Sequence, residues 1–257
     1  MSIYQHFRQE EKDFVDQILG FRDLVENRLT PKLTDFLDPR EQFIAQSIIG
    51  RNGSCQIRFF GGTADSERKR ALIYPDFFFP EQEDFQIALF EIRYPGKFVD
   101  LTHPQVLGSL MGLGLKRAKF GDILIHGERI QFFAAQEVAD YIRLHFHQVG
   151  RFTITLEEKT LDHVLPLEEK MEELTLTVSS LRLDAVLAQV SRNSRSKTLE
   201  MIKEGRVKVN WRLEENPSFP LEQGDVISAR GIGRVKILSI GDRTKKEKLR
   251  ITVGKWK

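Results

Sequence analysis

Apolar positions recur near the 3.6-residue helical period in EKDFVDQILGFRDLVENR, where Phe14, Val15, Ile18, Leu19, Leu24 and Val25 share a stripe between acids and bases. This predicts an opening helix. Leu37-Asp38-Pro39 closes the stretch, and residues 41–49 repeat the helical pattern. Residues 56–60, QIRFF, read as a strand that runs into Gly61-Gly62, and Asp65 or Ser66 is placed to cap a helical turn over 67–70. Residues 1–80 therefore read as a small α/β unit.

From 81 to 160 the pattern switches repeatedly between periods of two and 3.6. Residues 85–94 are strand-like, and His103-Pro104 opens a helix with Val106, Leu107, Leu110 and Met111 on one face. Residues 122–125 and 129–133 flank a turn at 126–128 and predict a hairpin. A second helix places Val138, Tyr141, Ile142 and His145 in register, which puts His145 on the apolar face, and a strand over 151–156 closes the set. The order βαββαβ is the split βαβ plan shared by ferredoxin-like and RNA-recognition domains, although the aromatic stacking signature of the latter is missing. Residues 161–180 read as an acidic linker ending in a strand, where Leu174, Leu176 and Val178 alternate with polar residues.

The last part, 181–257, predicts two short helices followed by strands. The first helix covers 183–190. The second is capped by Ser194, ended by Gly205, and turns Leu199 and Ile202 to the core. Val207 and Val209 alternate as a strand, Gln223-Gly224-Asp225 turns into a strand over 226–229, and 235–240 with 249–253 form a β extension. The fold class is α+β, in three modules.

Charge changes this picture most. The 257 residues carry a net charge of only +2, yet from Leu181 onward there are 18 Lys and Arg against 9 Asp and Glu, and before it 21 against 28. A basic module on an acidic body points to a polyanion as partner. No run approaches the ~18 apolar residues of a membrane span, and the opening MSIYQHFRQEEKDF has acids where a signal peptide has an apolar core. The single cysteine, Cys55, rules out an internal disulfide framework and fits a reducing cytoplasm.

The basic residues gather at helix starts and turns: Arg182, Arg192, Arg195, Lys197, Arg206 and Lys208. At the start of the second helix, free amides and the positive end of the helix dipole face outward, with the Ser194 and Ser196 hydroxyls beside them. Such a constellation suits phosphate, and it reads RNA backbone and shape more than base sequence. Asp184 is expected to pair with a nearby base. Lys245, Lys246 and Lys248 would extend the basic surface, and Lys116, Arg117 and Lys119 form a possible secondary RNA contact.

The succession RLD-x-x-L-A, S-R-S-K, I-x-x-G-x-V-x-V-N and G-D over residues 181–230 resembles the S4 RNA-binding domain. Upstream, GGTADSERKR and HPQVLGSLMGLGLKRAKFGDI are similar to bacterial YlmH-type S4 proteins, so the resemblance covers nearly the whole chain. It implies RNA binding without catalysis or cofactor, with rRNA, tRNA and the large ribosomal subunit as partners. It also implies ribosome-associated quality control of stalled nascent chains and a link to cell division.

Other chemistries find little support. Arg182-Leu183-Asp184 also occurs around the catalytic aspartate of pseudouridine synthases, but here Ala185-Val186-Leu187 follows and the tripeptide opens the S4 unit itself. Gly112-Leu113-Gly114 follows a helix and has Arg117 where a dinucleotide fingerprint needs glycine. The six histidines suggest no metal site, no nucleophilic triad can be assembled, and the acid pairs at 157–158, 168–169 and 172–173 read as solvated charge. The alternative is an RNA-modifying enzyme, a pseudouridine synthase or methyltransferase, with S4 as anchor. Membrane attachment is weaker because the basic tail lacks an amphipathic helix, and no small-molecule substrate is expected.

Overall fold

The computed structural model describes residues 7–50, 53–94, 101–166, 171–244 and 247–256. The chain divides into two compact units, Met1–Glu168 and Glu169–Lys257.

The first unit opens with helix α1 (Lys12–Arg28), which stops where Leu29 turns left-handed at φ 52°. Strand β1 (Lys32–Leu37), helix α2 (Pro39–Ile49), and strands β2 (Cys55–Phe60) and β3 (Lys69–Pro75) follow. They form an antiparallel sheet in the order β1-β3-β2. A capping box starts α2: Asp38 accepts from the Glu41 amide at 2.9 Å, and the Glu41 carboxylate accepts from the Asp38 amide at 2.7 Å. Val15, Ile18 and Val25 of α1 pack with Ile44, Ile48, Ala71 and Ile73, and Cys55 is an ordinary buried residue at the head of β2.

The helical turn expected over 67–70 is not formed. Ser66 caps the loop instead, donating to the Gly61 carbonyl at 3.1 Å, while the Asp122 carboxylate accepts the Glu67 and Arg68 amides at 2.6 and 3.1 Å. Strand β2 lies where the pattern placed it, but charge hid β3, which follows this loop. Arg70 of β3 is buried and donates to the carbonyls of Thr34 and Gln86 at 2.8 and 2.9 Å and to Glu137. Gly62 sits at φ +104°, and a Cβ there would lie 2.2 Å from the Phe133 ring, which explains the glycine.

Next come β4 (Ile87–Arg93), α3 (His103–Met111), β5 (Phe120–His126), β6 (Arg129–Ala135), α4 (Ala139–His145), the small hairpin β7 (Gln148–Val149) and β8 (Phe152–Thr153), and β9 (Thr155–Lys159). The sheet order is β5-β6-β4-β9, antiparallel throughout, which is the split βαβ arrangement. The closing strand thus starts at Thr155, and the residues before it turn back through Gly150 at φ +58°. His145 does not face the core. The buried positions of this segment are Ala139, Ile142 and Phe146, while His145 is exposed and rests against Tyr141 with ring centroids 4.4 Å apart.

Both faces of this sheet are covered. Phe90, Ile92 and Phe132 meet α3 and α4 through Val106, Leu110 and Ile142. Leu89, Leu124 and Phe133 on the other face meet Phe36 of β1 and Leu165, with Leu161 and Val164 beside them. Gln131, fully buried, straps that last segment down by accepting from the Leu165 amide at 2.8 Å and donating to the His163 carbonyl at 3.1 Å.

The second unit contains β10 (Met171–Val178), α5 (Leu183–Ser191), α6 (Arg195–Lys203), β11 (Val207–Val209), β12 (Arg212–Leu213), β13 (Val226–Ala229), β14 (Gly233–Arg243) and β15 (Leu249–Trp256). Its single sheet has the order β10-β15-β14-β13-β11-β12. The strand foreseen at the end of the linker is therefore an edge strand of this sheet. Leu183, Val186, Leu187, Met201 and Ile202 of the helices pack on Val207, Val209, Ile227, Val235, Ile237 and Val253. Thr198 and Met201 take the buried places beside Ile202, and Leu199, expected in the core, is only half-buried.

One carboxylate in the first unit gives a pH signature. Glu91, 1% exposed, binds Arg129 at 2.8 Å, Gln131 at 3.0 Å and Arg93 at 2.9 Å. The Arg129 hydrogen bond leads these effects; together they outweigh burial and hold the carboxyl down to about 2. Because the folded value lies below the ordinary one, the stabilisation is complete above the ordinary carboxylate range and is lost as pH falls through about 2. Glu91→Gln should cost roughly 2 kcal/mol at neutral pH, allowing for solvent around the half-exposed arginines, and progressively less in acid. Urea unfolding across the acid range checks this; a gap independent of pH would contradict it.

Candidate nucleic-acid interface

The basic residues of the second unit are placed by the joint between α5 and α6. The first turn of α5 is pinned to the 217–221 loop: the Leu183 amide donates to Phe219 O and the Asp184 amide to Pro217 O, both at 3.0 Å. This pinning carries the Asp184 side chain, 2% exposed, into the joint. Its carboxylate accepts from Arg182 Nε and Nη2 at 3.1 and 3.2 Å and from Arg195 Nε and Nη2 at 3.1 and 3.0 Å. Burial works against the charge, but the two guanidiniums outweigh it and hold the carboxyl below its ordinary value. The arginine side chains remain 43% and 55% exposed, so each keeps donors for a ligand while Asp184 fixes its direction.

Ser194 caps α6, accepting from the Lys197 amide at 3.3 Å, and its hydroxyl lies 3.0 Å from that of Ser196. Thr198, fully buried, donates to the Arg195 carbonyl at 2.9 Å and ties the first turn from inside. Arg192 ends α5 in the left-handed region at φ 53°. Arg192 and Lys197 are exposed and form no ion pair among the described residues. Asp184 thus brings Arg182 and Arg195 together at the first turn of α6, where Ser194, Ser196, Lys197 and the open amides of that helix also lie, and Arg192 stands two residues before the Ser194 cap.

The other expected residues lie elsewhere. Arg206 follows the far end of α6 and pairs with Glu204. Lys208 stands exposed on β11. Lys248 is exposed, and Lys245 and Lys246 lie outside the described residues.

The run at 116–119, expected as a secondary RNA contact, is largely engaged within the protein. Arg117 turns inward to the Phe120 and Gly121 carbonyls at 2.6 and 3.3 Å, and burial pushes its guanidinium down to about 10. Lys119 is held by Asp35 at 2.6 Å and Glu137 at 2.9 Å. Only Lys116 stays exposed. Basic residues look alike in a sequence whether they brace carbonyls or face solvent. Sequence reading also missed Thr198 and the 217–221 loop as supports; the Pro217 and Pro220 bracket was the available signal.

Among the described residues no helix is long and apolar enough to cross a membrane, and no group of three His, Cys, Asp or Glu is placed to hold a metal.

Comparison with known proteins shows the family. Residues 80–163 match the family described as "Putative RNA-binding domain in YlmH", and residues 181–227 match the S4 domain. The chain is 43% identical over 256 residues to the ribosome-associated protein quality control protein P2 of Bacillus subtilis, covering 100% of this chain and 99% of that one. The chain belongs to the YlmH-type S4 RNA-binding proteins. A solved structure titled cell division protein ylmH from Streptococcus pneumoniae is 34% identical, with a TM-score of 0.54, and its whole length corresponds to 64% of this chain.

Within this YlmH-type chain the two matched regions differ in what they leave open. The 80–163 region is the split βαβ sheet, and the face with which an RNA-recognition domain stacks bases is closed by Phe36 and the Leu161–Leu165 strap. The S4 region leaves its helix edge exposed.

Asp184→Asn should therefore loosen both arginines at once. The expected result is a loss of about 2 kcal/mol in stability together with weaker RNA affinity. Chemical denaturation paired with RNA titration checks it. Unchanged RNA affinity would show that the carboxylate does not organise the edge.

Proposed function

We propose that the chain is a non-enzymatic, cytoplasmic protein that uses residues 181–257 to grip structured rRNA and tRNA on the large ribosomal subunit, in the handling of stalled nascent chains. The observation that carries this reading is the Asp184-held pair Arg182 and Arg195 beside the α6 N-terminus, with Lys197 in the first turn of α6 and Arg192 just before it, both without an ion pair among the described residues. Guanidiniums and free helix-N-terminal amides are the donors that hold backbone phosphates, and a pre-set geometry lowers the entropy lost on binding. The name of the Bacillus relative supplies the ribosomal context. We attach the cell-division link in the pneumococcal title to the same RNA-binding act.

The acidic part of the chain complements this grip. Residues 1–80 and 81–160 serve as a specificity body that meets a ribosomal partner or tRNA, joined through 161–180 to the basic anchor. Two modest contacts on one chain then give one tight complex through effective concentration.

The competing reading is an RNA-modifying enzyme with S4 as its anchor. Nucleoside mass spectrometry on ribosomal and transfer RNA incubated with the full chain and candidate cofactors separates the two, since a new protein-dependent nucleoside would sink the non-enzymatic reading. For the grip itself, Arg192→Ala/Lys197→Ala should weaken co-sedimentation with the large subunit and lower the slope of log affinity against log salt by about 1–2. Its melting temperature should match wild type, because neither side chain holds the fold. Intact ribosome binding in that variant would contradict the assignment.

A further inference from the structure

The outer face of the second unit's sheet, away from α5 and α6, carries a feature that the helix edge does not use. Arg234 of β14 lies between the only two tryptophans of the chain, its guanidinium carbon 5.4 Å from the Trp211 ring centre and 4.7 Å from that of Trp256. Both indoles are half-exposed. The strand register explains the meeting of residues more than 20 positions apart. Lys208 pairs with Ser228, Ser228 with Arg234, and Trp256 with Met171, and the Val235–Lys255 pair sets Arg234 beside Trp256. Residues opposite one another share a face, so Lys208, Ser228, Arg234 and Trp256 form one row across four strands.

Trp211 is held there against its own backbone preference. It sits at φ +64°, after Asn210 at φ +48°, in the turn between β11 and β12. The left-handed region is costly for so bulky a residue. Asn210 secures the turn, accepting from the Val226 amide at 2.9 Å and donating to Asp225 at 2.8 Å. A glycine would fill this turn without strain; a tryptophan there places an indole on the surface.

We propose that Trp211, Arg234 and Trp256 form a stacking platform for unpaired bases of single-stranded RNA, separate from the helix edge that grips structured RNA. This rests on the RNA-binding reading and extends it. Arg234 already fills the cation–π position between the rings, so a further cationic ligand is disfavoured, whereas a flat neutral base can stack on an exposed indole surface. Lys208 and Lys236 stand on the same face with no ion pair among the described residues, within reach of the phosphates of a strand crossing the row. Indole faces flanked by free amines are the combination by which single strands are held without reading sequence.

Because both tryptophans lie in this site, the emission of the unaltered full chain reports on it directly. At low salt, a fluorescein-labelled single-stranded oligouridylate should bind by anisotropy, and the same unlabelled oligomer should quench tryptophan emission along the same curve. Trp256→Ala should weaken oligomer binding about tenfold, while Trp256→Phe keeps most of it and RNA hairpin affinity stays unchanged in both. Oligomer binding without quenching overturns the platform, as does failure to bind the oligomer while the hairpin is still held. Loss of both ligands by the wild-type chain would overturn the RNA-binding reading as well, which keeps the two failures distinguishable.

Discussion

An ionised carboxylate with almost no access to water survives at the start of α5 only because two guanidiniums close on it. That requirement ties together the parts of the second unit. Asp184 reaches the joint because the 217–221 loop holds the α5 amides. Arg195 can reach the same carboxylate because Ser194 starts α6 one residue earlier and Thr198 locks its first turn. Removing the charge would leave two arginines without a fixed direction, and removing either arginine would leave a buried charge half-compensated. The cost of burying Asp184 is thus offset by the pair that it aims at solvent, and the exposed basic edge and the local fold share one interaction.

In the first unit the same logic is turned inward. Glu91, Asp122, Arg70, Arg117 and Lys119 are charged residues spent on bracing loops, strands and carbonyls. The split βαβ sheet is closed on both faces, so its resemblance to RNA-recognition domains extends to topology and stops short of the stacking surface. The positive surface available to a polyanion lies instead in the second unit, as the opposite charge balances of the two halves imply.

Much of this was legible before any coordinates. Helices α1 and α2, the βαββαβ order, the Ser194 cap and the β14–β15 hairpin follow from period, capping residues and turns. The failures share a cause. Strands β1 and β3 were missed because Lys32, Asp35, Lys69 and Arg70 interrupt the alternation, and Arg70 is buried by carbonyl partners that a local pattern cannot show. His145 was misplaced because the helical stripe continues through Phe146, one position further on. The partnership of Asp184 with a nearby base was foreseen, but its capture of Arg195, 11 residues away, depends on how two helices meet.

Hydrogen exchange on the full chain, with and without an RNA hairpin, tests the central claim that RNA is gripped at the α5–α6 edge and not on the split βαβ sheet. The Arg195 and Ser196 amides, open at the first turn of α6, should slow on RNA binding, while amides of β4, β5, β6 and β9 keep their rates. Protection confined to those four strands, with the first turn of α6 unchanged, would contradict the account.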